Sequence, residues 1–192
     1  MVLRVNSIVP RSGNTISIES GHVLYVPGSI MQVVNTYYTT ATSVSIPSGY
    51  NTYTDVTGLS ASITPKSTSS KIYIRVRWFG EYSVQNINWD CMWQVKRNSS
   101  VILQGSQPGS LNIGIHMGML AYNAGDADST PESAYFDAYD SPSSTSSLTY
   151  QVAVSHSYGS TQTLYINRTV NAATSGGYER GTSSITLWEI AG

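Results

Sequence analysis

Residues 70–84 read SKIYIRVRWFGEYSV. Successive side chains of a strand point to opposite faces, so this stretch sorts into two sets. Ile72, Ile74, Val76 and Trp78 fall on one face; Tyr73, Arg75, Arg77 and Phe79 fall on the other. The first set is what a core takes up. The second is amphipathic and belongs at a surface.

Working outward, residues 87–96 repeat the arrangement, with Trp89, Cys91, Trp93 and Val95 inward and Asp90, Met92, Gln94 and Lys96 outward. Arg97-Asn98-Ser99-Ser100 reads as a hairpin connection into residues 101–103. Leu148, Tyr150, Val152, Val154 and His156 alternate with Thr149, Gln151, Ala153 and Ser155. Further runs at 31–38, 43–46, 59–64, 163–168 and 184–190 read as strands, as do residues 112–122, though glycines interrupt them. Roughly nine strands with turns between them and no helical period predict an all-β fold, a jelly-roll-like β-sandwich.

Composition agrees. Of 192 residues, 31 are Ser, 19 are Thr and 14 are Tyr, while charged residues make up 11%. Hydroxyl, β-branched and aromatic side chains suit a pleated surface, and strong helix formers are scarce. A net charge of −1 offers no basic field for nucleic acid or anionic lipid, so neither is an expected partner. No window approaches the ~20 apolar residues that span a bilayer. One Cys cannot form an internal disulfide, and no Cys/His cluster suggests zinc. MVLRVNSIVPRSGNT holds no long apolar run after its arginines, so no secretory signal is expected.

The chain divides into a segment of short pieces at 1–34 and a sandwich domain at 35–192. Pieces as short as residues 2–5, 15–18 and 22–26 cannot make a core alone. Either they intertwine with neighbouring copies as a short β stem, or they lie as an arm on their own subunit. Long strands leave edges that a symmetric oligomer would cover.

Catalytic signatures are absent. His156 continues an inward face and reads as a core histidine, and neither His22 nor His116 has a neighbouring nucleophile signature. No G-x-S-x-G occurs, and Cys91 alternates inward between two tryptophans. Asn98-Ser99-Ser100 and Asn167-Arg168-Thr169 fit the glycosylation pattern but carry little weight without a secretion signal. Arg75 and Arg77 read either as partners for acids across a subunit interface or as a solvated face.

Residues 104–147 are the least regular part and are expected to be loops. Within them NAGDADSTPESAYFDAYD, residues 123–140, holds five of the eleven acidic residues. The spacing does not match an EF-hand, although oxygen-rich loops can hold Ca²⁺. A carboxylate pair here would serve a glycan hydrolase, a solvated loop would need no function, and a binding loop would use the interleaved aromatics. Aromatic faces beside acidic acceptors suit the C–H faces and hydroxyls of sugars. On that reading Tyr122, Asp126, Asp128, Tyr135 and Tyr139 are the host-contact candidates, with no catalytic residue, metal or cofactor expected.

Three stretches carry a resemblance. SGNTISIESGHVLYVPGSIMQVV (12–34), YTDVTGLSASITPKSTSSKIYIRVRWFGEY (53–82) and TLYINRTVNAATSGGYERGTSSITLWEIAG (163–192) together resemble the C-terminal knob of bacteriophage tail-fibre proteins. The likeness lies in the patterns P-G-x-x-x-Q-V-V, G-L-S-x-x-I-T-P-x-S-x-S-S-K-I and R-G-x-S-x-I-T-x-x-E-I. In order, they span 83 of 192 residues. The resemblance implies a virion protein with a β-sandwich knob assembled as a homotrimer, joined to other virion proteins through its N-terminal segment, contacting a host surface glycan and doing no catalysis. In long fibres the segment ends a far larger chain, so a capsid decoration or cement protein is the alternative expectation, and a glycan hydrolase a remote one.

Overall fold

A computed structural model describes residues 13, 24–84, 91–106, 109–118, 120–121, 129–171 and 177–192. Its strands are β1 (Ile30–Tyr38), β2 (Thr42–Ile46), β3 (Thr54–Ile63), β4 (Lys71–Tyr82), β5 (Cys91–Arg97), β6 (Ser100–Ile102), β7 (His116–Met117), β8 (Leu120–Ala121), β9 (Glu132–Asp140), β10 (Leu148–His156), β11 (Gln162–Ile166) and β12 (Ser183–Ile190). The described residues contain no helix.

Two antiparallel sheets form. The larger runs β1-β12-β4-β11-β2, with β9 on the far side of β4 and β8 beyond it. The smaller runs β3-β10-β5-β6, with β7 also paired to β5. Between them lies one core. Ile72, Ile74, Val76 and Trp78 from β4 meet Trp93, Val95, Tyr150 and Val152 from the smaller sheet, all fully buried. The Trp78 and Trp93 rings sit 5.4 Å apart, centroid to centroid. The alternation in residues 70–84 thus sorts its two sets as the period-two rule requires.

Turn chemistry closes the elements. Asn98 and Ser99 both have positive φ, 47° and 69°, the two-residue hairpin geometry whose twist matches its strands. Gly58 has φ +81°, and a Cβ there would lie 2.2 Å from the Tyr38 ring. It sits where β3 bulges against β10, between Gln151 and Ala153. The Gln151 amide donates to the carbonyls of Val56 and Leu59, satisfying groups that the bulge takes out of the ladder.

Three expectations need correction. Residues 132–140 are not loop: they form β9, paired along β4 from Gly80 to Ile72. Gln94, Ala153 and Ser155, expected outward, are buried. Tyr53 and residues 112–115 lie over that face, held by Asn51 N–H to Asn112 Oδ1 at 3.1 Å and Ile113 N–H to Asn51 Oδ1 at 2.9 Å. Alternation alone cannot foresee a loop folded back over a sheet. Finally, among the described residues of the expected strand at 112–122, two dipeptides pair, as β7 and β8.

Residues 30–34 belong to β1, which pairs with β12 from Ile30 to Tyr38. The pieces at 2–5, 15–18 and 22–23 lie outside the described residues.

Candidate functional site

The outward set of β4 is joined by its neighbours into three rows. Val33, Trp188, Tyr73 and Tyr139 stand in register across β1, β12, β4 and β9. Two residues along, Asn35, Thr186, Arg75 and Asp137 make the second row, and Tyr37, Ser184, Arg77 and Tyr135 the third. Cross-strand neighbours on one face stand within contact distance, so the first and third rows bring aromatic rings to one face as a platform with Arg75 between them. Tyr73 lies 5.9 Å from Tyr139 and 5.4 Å from Trp188. Three of these rings stay largely open to solvent: Tyr37 at 62%, Tyr135 at 56% and Tyr139 at 45%.

Cations are laid among the rings. The Arg75 guanidinium lies over both Trp188, at 5.1 Å, and Tyr135, at 5.9 Å. Arg77 lies 5.7 Å from the Tyr37 ring and donates to Thr182 Oγ1 at 2.9 Å. Lys71 lies 5.9 Å from Tyr139. Tyr73 donates its hydroxyl to Asp137 Oδ2 at 2.9 Å, a bond that raises the phenol's pKa. Beyond the third row, Arg77, Trp78, Phe79, Ser133, Gly181 and Thr182 line a pocket of about 280 Å³.

Of the host-contact candidates, Tyr135 and Tyr139 stand on this platform. Tyr122, Asp126 and Asp128 lie outside the described residues. The remaining acids of that stretch separate. Asp137 faces out, while Glu132 and Asp140 turn inward and are buried, at opposite ends of β9. Eight residues of strand span about 26 Å, far beyond the ~5–9.5 Å between paired glycosidase carboxylates.

Each buried acid has a structural task. Asp140 accepts from Arg97 at 2.7 Å and from the Tyr150 hydroxyl at 2.7 Å, tying the larger sheet to β5 and β10 of the smaller. Burial, with Asp140 adding to it, raises the Tyr150 pKa well above the usual phenol range. Glu81 accepts from Thr130 N–H at 3.1 Å and Val170 N–H at 2.6 Å, pinning two connections. Glu132 accepts from Tyr82 N–H at 3.0 Å. Burial pushes its carboxyl up to about 8; the Tyr82 bond opposes this and the Glu81 charge adds to it.

The imidazole of His156 is fully buried, with Nε2 3.0 Å from Ile46 O and the ring edge-on to Tyr82. Cys91 is buried beside the Tyr82 hydroxyl, and burial drives its thiol far above the ordinary range, which disfavours the thiolate. His116 stacks on Phe136 at 5.2 Å, and burial lowers its pKa. Among the described residues no His, Cys, Asp and Glu group is arranged to hold a metal ion.

The platform was only partly legible beforehand. Arg75, Arg77 and Tyr73 were visible as one strand's outer face, but Trp188 and Tyr37 belong to strands far away in sequence. No family model matches the chain, and no curated protein matches it.

Proposed function

We propose that the chain is a non-enzymatic structural module of a bacteriophage particle, a trimeric jelly-roll-like knob. It contacts saccharide on the host surface through the outer face of its larger sheet. The observation that carries the reading is where the resembling motifs meet. Gln32 of the first, Lys66 and Ser70 of the second and Glu189 of the third converge on one buried carboxylate. Glu189 Oε1 accepts from Lys66 N–H at 2.6 Å and Ser70 Oγ at 2.7 Å, and Oε2 accepts from Gln32 Nε2 at 2.6 Å. Gln32, Ser70 and Glu189 stand at specified positions of the three resembling patterns, and here they act together as a frame, with Lys66 adding its backbone N–H.

Further support comes from Ser183, of the same closing motif, which donates to Asn167 Oδ1 at 2.7 Å. Asn167 in turn donates to the carbonyls of Tyr38 and Thr40. The frame lies within the sandwich and leaves the outer face of the larger sheet open for contact. Contact with a surface through a rigid scaffold needs no catalytic group, and a trimer multiplies weak sites through effective concentration. Leu24, Tyr25, Val26 and Ile30 are exposed apolar residues at the N-terminal side, where other virion proteins would join.

The test is the copy number of this chain relative to the major capsid protein in purified particles. A small number per particle is the expected result and fits a tail or vertex fibre. Hundreds of copies would replace the knob with a capsid decoration protein, and absence from particles would overturn both.

A further inference from the structure

We infer that the aromatic platform selects an acidic saccharide, a polymer bearing uronic acids, and that Arg75 is the residue that receives the carboxylate. This rests on the surface-contact reading above and names its ligand. Three features of the platform converge on it.

The first is an uncompensated charge. Among the described residues, Lys71, Arg75 and Arg77 stand on the platform against one carboxylate, Asp137, whose Oδ2 already accepts from Tyr73. Asp137 is opposite Arg75 in register, yet the two form no ion pair; among the described residues the ion pairs are Lys96–Asp55 and Arg97–Asp140. The face is positive on a chain whose net charge is −1.

The second is preorganisation. The exposed Arg75 guanidinium is bracketed by Trp188 and Tyr135, so little side-chain freedom is lost when it meets a carboxylate. A planar fork held between two rings can present paired N–H donors to an anion. The third is the company it keeps. The Trp188, Tyr73 and Tyr139 rings lie in the row beside it, offering apolar faces to successive sugars. Asn35, in Arg75's own row, donates its amide to Thr186 Oγ1 and keeps its Oδ1 to accept from a sugar hydroxyl.

A second copy of the chain is a poorer occupant. An isologous contact would bring the same cations face to face. A heterologous one would need an acidic patch, and the exposed acids among the described residues are scattered, with Asp55 already paired to Lys96.

The experiment titrates the full chain with a hexasaccharide alternating glucuronate and N-acetylglucosamine, and with the neutral N-acetylglucosamine hexamer, following Trp fluorescence. The acidic oligomer is expected to bind at least about tenfold more tightly than the neutral one, and more weakly as salt rises. Arg75→Gln is expected to remove that preference without moving the thermal midpoint, and Tyr139→Ala to weaken both ligands. Equal binding of the two oligomers would overturn the acidic selection and leave saccharide contact standing. Binding of neither, while the protein still adsorbs to host cells, would overturn the ligand class and leave the surface contact standing. Concentration-dependent shielding of Trp188 without ligand would overturn the inference in favour of a second copy.

Discussion

Trp188 and Glu189 are neighbours in sequence and belong to opposite sides of the same sheet. Glu189 is fully buried, gathers donors from Gln32, Lys66 and Ser70, and occupies a position that the resembling closing motif specifies. Trp188 faces out, beside Tyr73 and Arg75, at a position the motif leaves open. Position in the pattern does not separate the two sides, since Thr186 is specified and faces out with Trp188; what separates them is which face of β12 each residue takes.

That contrast breaks if the two neighbours respond alike to substitution. Glu189→Ala takes the acceptor from the buried Ser70 hydroxyl and from two partly buried donors, Lys66 N–H and Gln32 Nε2, and is expected to cost about 2–4 kcal/mol in urea denaturation. Trp188→Ala removes a half-buried ring and should cost about 1 kcal/mol. Similar losses would mean that the platform, too, is framework.

Asp140→Ala tests whether the inter-sheet tie is comparable to the Glu189 frame. It leaves Arg97 and Tyr150 without their acceptor, and a loss of about 2–3 kcal/mol is expected. A loss below about 0.5 kcal/mol would show that sheet packing alone carries that end.

Glu132 sharpens the comparison through pH. Its folded pKa of about 8 lies above its unfolded value, so the folded state holds the extra proton between them. Stability is then greatest below the unfolded value and falls as pH rises towards 8. The thermal midpoint should drop by several degrees between pH 5 and 9, and Glu132→Gln should flatten that slope while keeping an acceptor for Tyr82 N–H. An unchanged slope in the variant would assign the pH response elsewhere. The smallest effect is expected at Arg75→Gln, within about 0.5 kcal/mol in stability, because its guanidinium is exposed.

Much of the frame was legible because alternation in a strand is a local property. Residues 72–79 and 148–152 could be sorted inward and outward from their order alone. Gln94, Ala153 and Ser155 escaped because what buries them is a segment from elsewhere in the chain. The acidic stretch misled for a related reason. Five acids near prolines and glycines resemble a loop, yet three of them stand on β9, where β4 supplies the pairing that local propensity does not.

By itself the order of residues determined the all-β class, the two faces of residues 72–79 and the hairpin at Asn98-Ser99, because each depends on neighbours a few positions apart. Only the tertiary structure decided that β12 lies between β1 and β4 and that β9 flanks β4 on the other side. That strand order brings Trp188, Tyr73, Tyr139, Tyr37 and Arg75 onto one face. It depends on register between distant segments, set by burial and ladder hydrogen bonds across the whole sandwich, which no short window of sequence contains.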